Sequence, residues 1–152
     1  MSTVILTNMC MVTDCKTNKV LVQQRVKSWQ GLTFPGGKLE PKESILDSVI
    51  REVKEETGLE VSNLKLCGIK DWYEEEEDFR YIVFLYETAD YKGELLEETD
   101  EGKLKWMDLN ELTEENCSPG FAVTLEVFKN PAKQEHFYYY DSAANVLRNQ
   151  VI

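Results

Sequence analysis

The segment Ser44–Thr57 constrains this chain more than any other. At about 100° per residue, Ile45, Leu46, Val49, Ile50 and Val53 gather on one side of a helix, and that side is expected to be buried. Glu52, Glu55 and Glu56 follow the i, i+3, i+4 spacing and share another side. Three carboxylates on adjacent turns repel one another unless something positive sits among them. Arg51 and Lys54 relieve part of that repulsion. A hard divalent cation relieves more, because Mg²⁺ takes carboxylate oxygens and keeps several of its waters. Upstream, Pro35-Gly36-Gly37 ends any regular element, and bare glycine backbone can approach a ligand closely. Glu43 stands two helical turns and a little more before Arg51, so the two can pair and pin the helix to that loop. Gly58 stands where a left-handed C-terminal cap belongs.

The remaining sequence predicts a strand-rich single domain over residues 1–152. Val4–Val12 and Lys19–Arg25 read as strands joined through a hairpin turn at Thr13–Asn18. Val26–Gly37 reads as a loop carrying Trp29, Thr33 and Phe34. Leu64–Tyr73 and Phe79–Thr88 are β-rich and separated by the acidic run Glu74–Asp78. An acidic loop, Leu95–Glu101, leads into the short strand Lys103–Asp108. Phe121, Leu125 and Phe128 have helical spacing, stopped at Asn130-Pro131, and His136–Asp141 pairs with Asn145–Val151 across a polar turn. Strands with two intervening helices indicate an α/β or α+β sandwich.

Composition narrows the functions. Twenty-eight acidic against 17 basic residues give a net charge of −11. That field disfavours a nucleic-acid polymer, whose backbone needs clustered Lys and Arg. It leaves room for a small phosphorylated substrate whose encounter is neutralised by metal ions. No apolar run approaches the roughly 20 residues of a membrane span. Met1–Thr7 lacks the basic start and long apolar centre of a secretory signal. The four cysteines form no CxxC pair and His136 is the only histidine, so a zinc site is not expected. Reduced thiols and a cytoplasmic location are the expectation, with the chain a monomer or a homodimer.

Here the residues carry a family resemblance. Gly37-KLEPK-Glu43-SILDSVI-Arg51-Glu52-Val53-Lys54-Glu55-Glu56-Thr57-Gly58-Leu59 resembles the Nudix box, GX5EX7REUXEEXGU with U apolar. Every specified position is matched without a gap, a coincidence on the order of 10⁻⁸ for a random chain of average composition. The approach WQGLTFPGGK, the second acidic loop and the later Trp106 occur in the order expected of MutT-like members. The resemblance implies an α/β/α sandwich with a mixed sheet and a loop–helix–loop box. It implies hydrolysis of nucleoside diphosphates linked to another moiety, with Mg²⁺ or Mn²⁺ as cofactor. Carried over residue by residue, Glu52, Glu55 and Glu56 are metal-binding carboxylates and the Gly37 carbonyl a further ligand. Glu43 and Arg51 form the bracing pair. Glu55, Glu56 and Glu101 are the candidates for the base that takes the proton of the attacking water, and Glu101 is also a candidate ligand.

Substrate signals are weaker. Gly36, Gly37, Lys38, Trp29, Thr33 and Phe34 are the candidate substrate contacts, Thr33 through a base edge and the aromatics by stacking. Trp72, Tyr73 and Phe121 are further stacking candidates. The segment RVKSWQGLTFPGGKLEPKES resembles 8-oxo-dGTP diphosphatases, which release a monophosphate and pyrophosphate. Cys117-Ser118-Pro119-Gly120 offers no aspartate pair to read an oxidised purine. No proline follows the box before Pro119, which argues mildly against ADP-ribose. The alternatives are another nucleoside diphosphate derivative (ADP-ribose, a nucleotide sugar, a dinucleoside polyphosphate) or a non-catalytic nucleotide-binding module.

Overall fold

The computed structural model describes residues 2–152. Met1, the first residue of the segment weighed as a signal sequence, lies outside them. In chain order the strands are β1 (Thr3–Val12), β2 (Val20–Arg25) and β3 (Gly31–Thr33), followed by helix α1 (Ile45–Thr57). Then come β4 (Glu60–Ser62), β5 (Lys65–Glu74), β6 (Phe79–Thr88), β7 (Asp90–Lys92), β8 (Glu98–Thr99) and β9 (Gly102–Met107). A 3-10 turn at Leu109–Glu111 leads to α2 (Phe121–Lys129), β10 (Glu135–Asp141) and β11 (Val146–Val151).

Two sheets form the body. The larger is mixed, in the order β1-β6-β5-β10-β11, with β1 parallel to β6 and β10 parallel to β5. The smaller is antiparallel, in the order β3-β2-β9-β8. The helices lie on opposite sides of this body. Cys10, Val12, Leu21, Val49 and Val53 pack together on the α1 side. Met11, Val20, Val22, Phe34 and Leu125 pack together on the α2 side. Neighbours in β1 and β2 thus bury alternately toward one helix and the other, which is why both strands read as nearly unbroken apolar runs.

Four sequence expectations need correction. The turn at Thr13–Asn18 exists, held by the Asp14 carboxylate accepting from Lys16 N–H and the Thr17 hydroxyl. The strands that it joins nevertheless enter different sheets and share only a bridge between Thr13 and Val20. Within the expected loop Val26–Gly37, Gly31–Thr33 pairs with β2, and the acidic loop holds the two-residue β8. Such elements are too short to show a period. On α1 the buried residues are Ser48, Val49, Val53 and Thr57, while Leu46 is 45% and Ile50 38% exposed. The inward face is therefore rotated toward Glu52 and Glu56, so those carboxylates border the core.

Among the described residues, no helix is long and apolar enough to cross a membrane. His136 is buried. Its Nδ1 lies 2.9 Å from the Thr124 hydroxyl and its Nε2 2.6 Å from Asn149 Oδ1. It therefore ties α2 to the sheet.

Candidate active site

Helix α1 begins at Ser44, whose hydroxyl accepts the Asp47 N–H at 3.0 Å, and ends at Gly58 with φ +84°. Between these caps the helix presents Arg51, Glu52, Glu55 and Glu56 toward the glycine loop. Arg51 organises the outer part. It donates through Nε to Glu43 Oε2 at 3.0 Å and through Nη2 to Glu43 Oε1 at 2.7 Å. The same guanidinium reaches the Lys38 carbonyl at 3.0 Å, Glu52 at 2.9 Å and Glu55 at 3.2 Å. A planar fork with five donors suits that many acceptors, and the carboxylates hold it charged. The Arg51 guanidinium and the Glu40 N–H in turn hold the Glu43 carboxyl below its ordinary range.

The three helix glutamates are not equivalent. Glu55 is exposed and Glu52 is mostly covered, with side-chain exposures of 58% and 14%. The Glu52 carboxylate packs on Gly37 so closely that a Cβ there would stand 2.4 Å from its carboxyl carbon. Any side chain at position 37 would displace that carboxylate. Burial raises the Glu52 pKa despite Arg51. Glu56 accepts the Gly36 N–H at 3.0 Å. Burial, with Glu52 and Glu101 adding like charge, pushes its pKa up to about 8, against the opposing pull of the Gly36 N–H and Arg25. Glu101 lies on the β8–β9 turn, near enough for its charge to be felt at Glu56.

Beyond Gly36 and Gly37 opens a cavity of about 200 Å³. Trp29, Thr33 and Phe34 line it from the β3 region, Trp72 from β5 and Phe121 from α2. Phe34 is also a core residue, edge-on to Phe121 and Phe128 at 4.9 and 5.2 Å. Trp29 is half exposed and meets Trp72 edge-on at 5.5 Å. Two candidates are not brought in. Tyr73 faces Tyr139 and hydrogen-bonds Asp78, and Lys38 is exposed and does not line the cavity. Lining residues that the sequence does not mark as site candidates include Asn8, Arg25 and Lys70. Asn8 had a signal, a polar residue inside an apolar strand. It is buried, donates through Nδ2 to Ser48 at 2.8 Å, and gives its N–H to the Gly37 carbonyl at 2.9 Å.

The matching family model is the NUDIX domain, which covers residues 6–128. The chain belongs to the Nudix family. Among its relatives, the Nudix hydrolase YvcI of Bacillus subtilis (strain 168), called uncharacterized in its name, is 36% identical over 117 residues, 75% of this chain and 72% of that protein. The NAD-capped RNA hydrolase NudC of Vibrio atlanticus (strain LGP32) is 33% identical over 116 residues, 74% of this chain but 40% of its own. The chain therefore spans less than half of that longer relative. The crystal structure of a MutT protein from Bacillus halodurans superposes with a TM-score of 0.76 at 28% identity, covering 97% of both chains. The chain is a MutT-like Nudix hydrolase, acting on phosphoanhydride bonds, and such hydrolases generally use a divalent metal.

Among the described residues, no three Asp, Glu, His or Cys side chains converge on a ready metal cage. Arg51 holds Glu52 and Glu55, and Glu56 is turned to the Gly36 N–H. The donor chemistry nevertheless fits a hard divalent ion. It is all oxygen, and the burial and neighbouring acidic charge that keep the Glu56 carboxyl from ionising easily are a penalty that a cation would offset.

Proposed function

We propose that this single-domain chain hydrolyses a nucleoside triphosphate, 8-oxo-dGTP among the candidates, to a monophosphate and pyrophosphate. The observation that carries this reading is continuity. Gly36 and Gly37 border the cavity on one side and touch Glu56 and Glu52 on the other. A base in the cavity would place its phosphates over the glycines and beside the carboxylates. Glu52, Glu55, Glu56 and Glu101 would hold Mg²⁺ or Mn²⁺, with the Gly37 carbonyl, whose second lone pair the Asn8 N–H leaves open. Bound there, the ion neutralises phosphate charge and lowers the pKa of water.

The chain's own residues do the rest. Arg25 lines the cavity and its charge is felt at Glu56, which suits a phosphate contact. Glu56, anchored beside the cavity by Gly36, is the carboxylate we place first as acceptor of the water proton. Arg51 and Glu43 brace the loop, so that Lys38, Gly37 and Glu52 keep their places. Trp72, Trp29 and Phe34 wall the base, and Thr33 lies within the same wall. The unpaired thiols suit a reducing compartment, so we place the chain in the cytoplasm.

The test is a panel of 8-oxo-dGTP, ordinary nucleoside triphosphates, ADP-ribose, nucleotide sugars and dinucleoside polyphosphates, with products identified. Pyrophosphate release from a triphosphate, lost in excess chelator, is the expected result. Turnover that survives chelation, or that is confined to ADP-ribose, overturns the reading.

A further inference from the structure

Lys70 is a cationic group lining the cavity that the proposed hydrolysis does not use. It lies on β5 two residues before Trp72, so both side chains leave the same face of the strand and both line the cavity. Its Nζ stands 3.3 Å from where a Cβ on Gly120 would be, so the ammonium reaches the residue that caps the start of α2. Apart from Lys133, every other lysine is exposed. Among the described residues no carboxylate pairs with Lys70, in a chain where acids outnumber bases 28 to 17. Burial alone acts on it and lowers its pKa. Its titratable neighbour, His136, is engaged at both ring nitrogens by Thr124 and Asn149. A half-buried ammonium without an acceptor is costly, and the cavity is the open side from which an acceptor can come.

We propose that Lys70 sets base specificity by donating to O6 and N7 of a 6-oxopurine held in the cavity. This rests on the reading that the cavity takes the base of the nucleotide. An ammonium has three donors and no acceptor. Guanine and hypoxanthine present O6 and N7 as adjacent acceptors on one edge, which lysine can engage together. Adenine puts its amino group at the same edge, so donor meets donor. Uracil and thymine offer a single carbonyl there. An 8-oxoguanine carries a proton on N7 and keeps only O6 for the ammonium. Lys70 therefore ranks unoxidised guanine above its 8-oxo form, and both above adenine.

Trp72 and Trp29 supply the probe, since both line the cavity. Tryptophan fluorescence is titrated with GMP, IMP, 8-oxo-dGMP and AMP on the wild type, Lys70→Met and Lys70→Gln, alongside kcat/KM for GTP, ITP and ATP with Mg²⁺. The wild type should bind GMP and IMP about ten- to a hundredfold more tightly than AMP. Lys70→Met should bring that ratio close to one and raise KM for GTP more than it lowers kcat. Lys70→Gln, which can donate and accept, should narrow the ratio while keeping the polar contact, and stands in should the methionine variant not fold. A wild type that binds AMP as tightly as GMP, a preference that survives both substitutions, or no binding of any purine nucleotide overturns the proposal. Lys70-dependent GMP binding without triphosphate hydrolysis upholds it and removes the reaction reading instead. Hydrolysis without purine discrimination does the reverse.

Discussion

The glutamate end of the site and the cavity beside it are built in opposite ways. The first comes from one run of chain, residues 36–56, with Glu101 added from a later turn. The second draws Asn8 from β1, Arg25 from β2, Lys70 and Trp72 from β5, Tyr81 from β6 and Phe121 from α2. A contiguous site can hold its geometry through one helix and one arginine network. A dispersed cavity is only as well shaped as the packing of two sheets and α2. Chemistry on the contiguous side and selection on the dispersed side is therefore the division that we propose.

The sharpest test of that division is Glu56→Gln. The amide can still accept the Gly36 N–H, so the loop should stay in place. Turnover should fall about 10²–10⁴-fold, the scale of a positioned proton acceptor. Without metal the melting temperature should hold near neutral pH, where a Glu56 carboxyl with its pKa pushed up to about 8 is already mostly protonated. It should rise above the wild type's at higher pH, where that buried group would ionise beside Glu52 and Glu101. Near-native kcat at saturating Mg²⁺ would move the base to Glu55 or Glu101.

That contrast also explains what could be read in advance. Glu43, Arg51 and the three helix glutamates share a register that repeats with the helix, so spacing alone placed them near one another. The corrected helix face shows the limit of the same logic. Periodicity sees an apolar side in Leu46 and Ile50, but the contact surface is chosen by where the sheet and the glycine loop lie. Asn8, Arg25 and Lys70 come together only through non-local pairings: β1 meets β6, some 75 positions later in the chain, while β2 and β5 add to their local partners β3 and β6 the distant strands β9 and β10. No local pattern marks such residues, since their partners are set by topology. Asn8 was nearly visible as a polar residue in an apolar strand, and Lys70 was not visible at all.

Val53→Ala tests the core under the glutamates. Val53 is fully buried against the α1 side of the sheets, so the loss of two methyl groups should cost about 1–3 kcal/mol in a denaturant melt. Glu52 and Glu56 flank that position, and kcat should fall by more than the small unfolded fraction explains. A large stability loss with unchanged kcat would show that the carboxylates are held by Arg51 and Gly36 rather than by the helix packing.

Arg51→Ala is expected to cost about 1–2 kcal/mol, near the low end for hydrogen bonds to charged groups, because the network's outer edge meets water. Its pH dependence is the more telling readout. Folding favours the Glu43 carboxylate, so its contribution is present above the unfolded value of 4.5 and fades as pH falls through the depressed folded value. The wild type should therefore lose stability over that acid range more steeply than Arg51→Ala. Equal acid limbs in the two proteins would mean that the Glu43–Arg51 pair is not formed in solution.

The smallest expected effect is also the most discriminating between pattern and structure. Leu46 belongs to the apolar set that spacing assigns to the core, yet it stands 45% exposed on the outer side of α1. Leu46→Gln keeps helix propensity nearly constant, so the change isolates burial. If Leu46 were in the core, placing an amide there without partners would cost several kcal/mol. On the exposed face the change should stay within about 0.5 kcal/mol, as for surface positions generally. Ile50→Gln, at 38% exposure, should behave alike. A loss above about 1.5 kcal/mol at both positions would show that something covers this face in solution. A second copy of the chain would make the loss depend on protein concentration, so melts at two concentrations identify such a copy as the cover.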